Sequence, residues 1–283
     1  MTTQLYDDEM RVALELAREA GDAIMSFYEG PVHIEQKSDA GVDEPVTQAD
    51  RVANDLIVNR LKREFPADGV LAEESVDTSR RLEKNRVWMI DPMDGTNGFI
   101  DRNGDFAVQI GLAEDGKCVV GVVYQPVSRV LYRAVKGGGT WIERPGVEPE
   151  RAQVSDKRDL HTMRLAASRS HRSARMDQVV KALEVKQEIR RGSVGVKVGL
   201  IIEQQSDLYV HLSPRTKQWD TCAPEIILTE AGGQLTDLFG GPLRYNAPEV
   251  QNRNGLVASN SVAHEQILDA LAPLLEKFGR VRL

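Results

Sequence analysis

Five carboxylates stand at the ends of short apolar runs in three separate segments. Glu73 and Glu74 close "GVLAEE", Asp91 and Asp94 lie in "WMIDPMDGT", and Asp220 sits in "QWDT". Hard divalent cations such as Mg²⁺ take oxygen ligands, usually a few from protein, with water or phosphate completing the shell. Within "DPMD", Pro92 restrains the backbone, so Asp91, the Met93 carbonyl and Asp94 could present three oxygens to one or two metals from a single tight loop. Gly95 allows close backbone approach, and Thr96 opens a short helical turn whose free N–H groups can hold a phosphate. The pattern predicts metal-assisted chemistry on a phosphate. Each piece alone also has a plainer use. Asp94-Gly95 is a common turn, and Asp220 before "TCAPE" suits a helix N-cap. Thr47 and Asp50 in "TQAD" form the Thr-x-x-Asp pattern of a capping box, which does not exclude a position facing a cleft.

These side chains can meet only if the fold brings distant segments together. Val12, Leu16, Ala17, Ala20, Ala23, Ile24 and Phe27 recur at helical spacing and predict an amphipathic helix from Asp7 to Tyr28, stopped by Gly30-Pro31. A second helix is expected from Thr47 to about Phe65, with Val52, Ala53, Leu56, Leu61 and Phe65 inward. Then the period changes. "GVLAEE" and "RVWMID" read as strands ending in acid, and "FAVQIGL", "CVVGVVYQP", "VLYRAV" and "TWI" follow as strands joined by turns at Asp115-Gly116 and Gly137 to Gly139. The second of these turns precedes a strand, so it reads as a hairpin and not as a phosphate loop. After Arg164, the strands "RLAAS", "LYVHL", "GQLTDL" and "GLVAS" alternate with helices near Met176 to Leu183, Val194 to Gln205, Thr221 to Ala231 and Val262 to Phe278. That alternation argues α/β layers. The chain has no internal repeat and no low-complexity linker. The expectation is therefore two lobes sharing one cleft: residues 1–155 metal-binding and catalytic, residues 156–283 substrate-binding and carrying the Trp-Asp motif.

A chain of 283 residues with 41% hydrophobic content can bury a substantial core. A net charge of −7 and the lack of a basic arm disfavour attraction to nucleic acid or an anionic membrane. The charge is uneven. From His161 to Asp220 there are 11 Lys and Arg against 6 Asp and Glu, a local +5 that leaves −12 elsewhere. This suits metal cations on one side of a site and an anionic ligand on the other, although charge counts do not say which groups face each other. Cys118 and Cys222 are the only cysteines, so neither a disulfide framework nor a cysteine zinc site is indicated. The start is unlike a signal peptide and no apolar run approaches the ~18 residues of a membrane span, so a soluble, cytoplasmic protein is expected.

Taken together, "EPVTQAD", "LAEES", "WMIDPMDGT" and "QWDTCAPEIILTEAGG" resemble the inositol monophosphatase-like superfamily of lithium-sensitive, Mg²⁺-dependent phosphomonoesterases in both order and form. The resemblance runs from Thr47 to Gly233 and implies an α/β (α+β) fold, the layered αβαβα sandwich of inositol monophosphatases and fructose-1,6-bisphosphatases. "NGFIDRNGDFAVQIGL" and "KQWDTCAPE" look most like the 3'(2'),5'-bisphosphate nucleotidases, which hydrolyse adenosine 3',5'-bisphosphate to AMP in sulfur assimilation and nucleotide recycling. By that resemblance Glu73, Asp91, Asp94, Asp220 and the Met93 carbonyl hold two or three Mg²⁺ ions per site. Thr96 and Asp50 take the proton from the attacking water, and Glu74 supports a water on the metal. Gly95, Thr96 and Asn97 bind the scissile phosphate. "SRSH" and "GSVGVK" match segments that contact the nucleotide, which assigns Ser168, His171, Ser193 and Lys197 to substrate binding.

Without the resemblance, His171 reads as an ordinary loop histidine and Lys197 as a snorkelling lysine on an apolar helix. Inositol-type enzymes carry an acidic residue shortly before Trp-Asp; Ser213 to Gln218 contains none. Where nucleotidases often have Lys after "DGT", this chain has the neutral Asn97. The implied partner is a small-molecule phosphate substrate, with the chain a monomer or homodimer. The nearer alternative is an inositol monophosphatase or broad sugar phosphatase, which shares every metal ligand. The farther one is a non-enzymatic, RNA- or transcription-associated relative, against which so much uncompensated negative charge argues.

Overall fold

The computed structural model describes residues 6–31, 34–39, 42–169 and 173–283, with backbone alone for 38, 39 and 42–44. In chain order, helix α1 (Asp7–Tyr28) leads to a hairpin of β1 (Ile34–Asp39) and β2 (Val42–Thr47), then to α2 (Gln48–Glu64). Strands β3 (Gly69–Ala72) and β4 (Arg86–Asp94) are followed by the single-turn α3 (Thr96–Ile100). A meander comes next: β5 (Ala107–Glu114), β6 (Lys117–Gln125), β7 (Val130–Val135), β8 (Gly139–Arg144) and β9 (Val147–Ala152). The later chain alternates β10 (Arg164–Ser168), α4 (Ala174–Ala182), β11 (Gln187–Arg191), α5 (Val194–Ile202), β12 (Leu208–His211), α6 (Gln218–Glu230), β13 (Gln234–Thr236), β14 (Leu256–Ser259) and α7 (His264–Lys277).

Strands β3 to β9 form a seven-stranded sheet in sequence order, with β3 and β4 parallel and every other pair antiparallel. Five more strands form a second sheet in the order β11-β10-β12-β14-β13. Helices α1 and α2 pack on one face of the large sheet, burying Leu16, Ile24, Ile57 and Leu61 against Trp88, Ile90 and Val122. Its other face carries α5 and α6, which also reach the small sheet, and α4 and α7 cover the outer side of the small sheet. The result is a five-layer αβαβα sandwich.

Two glycines set the depth of the central layer. A Cβ on Gly121 would stand 2.4 Å from Ile226 and 2.7 Å from the Ala223 carbonyl, and one on Gly111 would stand 2.7 Å from Cys222 Sγ. Only hydrogen at these positions lets α6 lie this close to β5 and β6, and α6 carries Asp220.

Several sequence expectations are corrected. The β1–β2 hairpin, β9 and β11 were not anticipated. Strand β3 stops at Ala72, before Glu73, whereas β4 runs three residues past Asp91 through an irregularity in its pairing with β5. Val52 is exposed and does not join the core. Helix α6 starts at Gln218, so Asp220 is not its N-cap: Lys217 is, and Asp220 occupies the third helical position, accepting a 2.9 Å hydrogen bond from the Lys217 amide. The Asp115-Gly116 turn is as expected, with left-handed φ of 50° and 77°. At the glycine turn, the Gly137 and Gly139 amides donate to the Glu230 carboxylate of α6, at 2.8 and 2.9 Å.

Candidate active site

The strand end at β4, the turn after β3, the first turn of α3 and the start of α6 open on one cavity of about 250 Å³. Glu73, Asp91, Met93, Asp94, Gly95, Thr96, Asn97 and Asp220 all line it, together with Ser168, Ser193 and Lys197 from the later chain. His171 lies outside the described residues. Glu74 does not line the cavity.

Asp91 is almost fully buried and accepts a 3.0 Å bond from the Met93 amide, which fixes the turn that Pro92 stiffens. Asp94 Oδ2 accepts from Gln109 Nε2 (2.8 Å), Ser193 Oγ (2.6 Å) and the Gly195 amide (3.2 Å). Ser193 is the N-cap of α5 and also accepts from the Val196 amide, so its hydroxyl ties Asp94 to that helix. Burial pushes the carboxyls of Asp91, Asp94 and Asp220 up; the charges of Glu73, Asp94 and Asp220 add to this at Asp91, and those of Asp94 and Glu73 add to it at Asp220. Acids that raise one another in this way are relieved by a cation, and oxygen-only donors suit a hard one. Among the described residues no three such side chains form a ready-made metal cage. Asp94 is turned to protein donors, and Lys37 of β1 bridges Glu73 (2.7 Å) and Glu74. Burial works against the Lys37 ammonium, but the two glutamates outweigh it and its pKa is raised.

Asp50 closes the capping box and touches the cavity wall through Thr96, although it does not line the cavity itself. Its Oδ2 accepts from the Thr47 amide (2.7 Å) and hydroxyl (2.6 Å) in the capping box, while its Oδ1 accepts from Thr96 Oγ1 at 3.2 Å. The Thr96 hydroxyl also lies 3.4 Å from the Met93 carbonyl. Burial raises Asp50 to about 7 against the opposing Thr47 bonds, with Glu73 and Glu74 adding to the rise.

Lys197 does not snorkel. It is 4% exposed on a helix buried on every side, donates to the Gly192 carbonyl and lies 4.9 Å from the centre of the Tyr209 ring. Burial lowers it to about 8, partly offset by Asp94, Asp105 and Asp220.

Two buried residues escaped the sequence reading. Gln109 was visible only as a lone amide in the apolar "FAVQIGL". Asp105 gave no signal, yet it gathers the site: its carboxylate accepts from Arg169 Nε (2.7 Å) and the Gly192 amide (3.1 Å). Its carbonyl is where the loops press together, because a Cβ on Gly98 would stand 2.5 Å from that oxygen and one on Gly192 2.4 Å. Gly98→Ala is therefore expected to push the "DGTNG" loop off Asp105. The loss should be about 1–3 kcal/mol of stability with a marked fall in turnover, read by denaturant melts and phosphate release.

The family model of the inositol monophosphatase family matches residues 6–276. Over 238 residues the chain is 39% identical to the 3'(2'),5'-bisphosphate nucleotidase CysQ of Escherichia coli K12, covering 83% of this chain and 93% of that one. It is 29% identical to 3'(2'),5'-bisphosphate nucleotidase 1 of Dictyostelium discoideum, over 91% and 94% of the two chains. Among solved structures, CysQ from Bacteroides thetaiotaomicron superposes with a TM-score of 0.76 at 33% identity, over 90% of this chain and 98% of that one. A Thermotoga maritima IMPase superposes with a TM-score of 0.80 at 25% identity, over 96% and 100%.

Proposed function

The chain belongs to the inositol monophosphatase family, and from that premise we propose that it is a Mg²⁺-dependent phosphomonoesterase hydrolysing adenosine 3',5'-bisphosphate to AMP and phosphate. The observation that carries this reading is the composition of one cavity. Glu73, Asp91, Asp94 and Asp220 line it together with Arg169, Lys197, Arg215 and Lys217. A metal site for the phosphate that is cleaved and cations for a phosphate that is kept are what a bisphosphate requires. Residues 1–155 would supply most of the acidic part, and residues 156–283 the cations and Asp220.

Glu73, Asp91, Asp94, Asp220 and the Met93 carbonyl would hold Mg²⁺, which when bound neutralises charge on the phosphoryl group. The amides of Gly95 and Thr96, at a helix start with no acceptor inside the helix, orient the scissile phosphate. Water attacks phosphorus as the bond from phosphorus to the ester oxygen breaks, and that oxygen leaves as the ribose hydroxyl after taking a proton from solvent. The proton released by the water passes to Thr96 Oγ1 as the Thr96 hydroxyl proton moves to Asp50 Oδ1, along the 3.2 Å contact. Glu74, held beside Glu73 by Lys37 just outside the cavity lining, would accept a hydrogen bond from a water at the edge of the acidic site.

A phosphate-release panel with Mg²⁺ tests the reading, comparing adenosine 3',5'-bisphosphate, its 5'-phosphosulfate analogue, inositol 1-phosphate, fructose 1,6-bisphosphate and NADP. The bisphosphate nucleotide should have the highest kcat/KM; a preference for inositol 1-phosphate would overturn it. Lys197→Ala should separate the two further. A lost charge-assisted bond costs about 1.5–3 kcal/mol, so kcat/KM for the bisphosphate should drop about 10–100-fold, and that for the monophosphate much less. Equal losses would mean that Lys197 serves only Asp94 and the fold.

A further inference from the structure

A second cavity, of about 550 Å³, shares no lining residue with the acidic one. Cys118 from the start of β6, Glu225 and Ile226 from the middle of α6, and Tyr245 line it, with Pro242 and Leu243 adding apolar wall. Tyr245 is 3% exposed, and its hydroxyl stands beside the Glu225 carboxyl and the Cys118 thiol without a well-aligned hydrogen bond to either. A buried phenol left in this way is costly, and it is the type of group that an arriving ligand satisfies. Glu225 is comparably short of partners. Its partners are the poorly aligned Tyr245 hydroxyl and a 3.5 Å contact from Cys118 Sγ, and among the described residues no Lys, Arg or His comes within ion-pair distance of it. Lys117 and Arg244 stand exposed at the rim and do not reach it.

The chemistry narrows the occupant. An anion would meet the Glu225 carboxylate. A hard metal ion would find too few oxygens, and no three ligating side chains gather here among the described residues. We propose that this cavity binds a small organic ammonium with an apolar tail. Its N–H groups would donate to the Glu225 carboxylate and the Tyr245 oxygen, the phenol proton would turn toward Glu225, and the tail would lie against Ile226, Pro242 and Leu243. The Tyr245 ring adds a face to which a cation is attracted. The proposal does not depend on the phosphatase reading, because it is tested by binding alone.

The probe is benzylamine hydrochloride, titrated with saturating Mg²⁺ present to keep the amine from the acidic cavity, and compared with uncharged benzyl alcohol. Ligand-observed NMR gives the affinity, and amide shifts of Gly116, Thr229 and Tyr245 give the location. Benzylammonium should bind with shifts at those three residues, and Glu225→Gln should weaken it about tenfold or more, the usual effect of losing a charge-assisted bond. Tyr245→Phe should weaken it several-fold while leaving Tm nearly unchanged, since the variant deletes a hydroxyl that has no well-aligned partner. Affinity should also rise with pH. Burial raises the Glu225 carboxyl, so a larger share of it is ionised as pH increases, while the amine stays charged. Equal binding of benzyl alcohol, undiminished binding by either variant, or no binding to the wild type would each overturn the proposal.

Discussion

Asp94→Asn is expected to lower phosphate release by about 10²–10³-fold or more without unfolding the protein. The side chain is nearly isosteric, and its amide oxygen can still accept from Gln109, Ser193 and Gly195, the three donors now on Asp94 Oδ2. What disappears is a charge that burial makes expensive, with Lys197 and the Ser193 and Gly195 donors offsetting only part of that cost, so Tm should hold or change little. The same charge is what a hard cation would use. The variant should therefore need far more Mg²⁺ for half-maximal activity, and calorimetry should show weaker Mg²⁺ binding with no substrate present. Two readouts are needed because a displaced loop would also lower turnover. A loop fault of the Gly98→Ala kind lowers Tm, whereas a lost ligand does not. Wild-type turnover at ordinary Mg²⁺ would sink the assignment of Asp94 as a ligand.

The acidic half of the cavity was legible in the sequence because three of its oxygens come from one run of four residues, where composition and local geometry coincide. "DPMD" sits at a strand end, Pro92 and Gly95 fix the turn, and the Met93 carbonyl follows from the loop itself. The layers were legible for a similar reason: α1 has a clean period of 3.6, and the meander reads as short apolar runs broken by turn residues. The strands that escaped notice lie at edges or outside the two main sheets. β9 ("VEPERA") and β11 ("QEIRR") each pair on one side only, so they need no alternating apolar face, and the charged β1–β2 hairpin packs as a separate two-stranded unit. Lys37 went unseen along with that hairpin, although it pairs with Glu73 and Glu74.

Distance in sequence hid the rest. Nothing near Asp105 announces that Arg169 and Gly192 will close on it, because those contacts span 64 and 87 residues. Lys197 was legible as a site cation but its depth was not: an apolar helix suggests one outward stripe, whereas α5 lies between two sheets and has no outward face. The N-cap reading of Asp220 failed for a local reason. A carboxylate at the third helical position can accept from the N-cap amide, so "KQWD" starts the helix three residues earlier than the Asp alone implies.

Thr96→Ala and Asp50→Asn are expected to lower kcat by about 10²–10⁴-fold while changing KM little, since they move a proton and do not hold the ester. Because both act on one proton along one 3.2 Å contact, the double variant should be little worse than the poorer single one. The pH profile adds a signature that a helix cap would not give. Asp50 must be ionised to accept a proton, and burial raises it to about 7, so activity at low Mg²⁺ should fall as pH drops through about 7. More Mg²⁺ should move that limb to lower pH, because a nearby cation favours the ionised form. Stability should run the other way. A carboxyl raised in the fold from 3.8 stabilises it fully below that value and loses the contribution as pH rises through about 7, so Asp50→Asn should remove this loss. If the two kcat losses multiply in the double variant and the acidic limb survives in Asp50→Asn, then Asp50 only caps α2 with Thr47 and the proton leaves the site by another route.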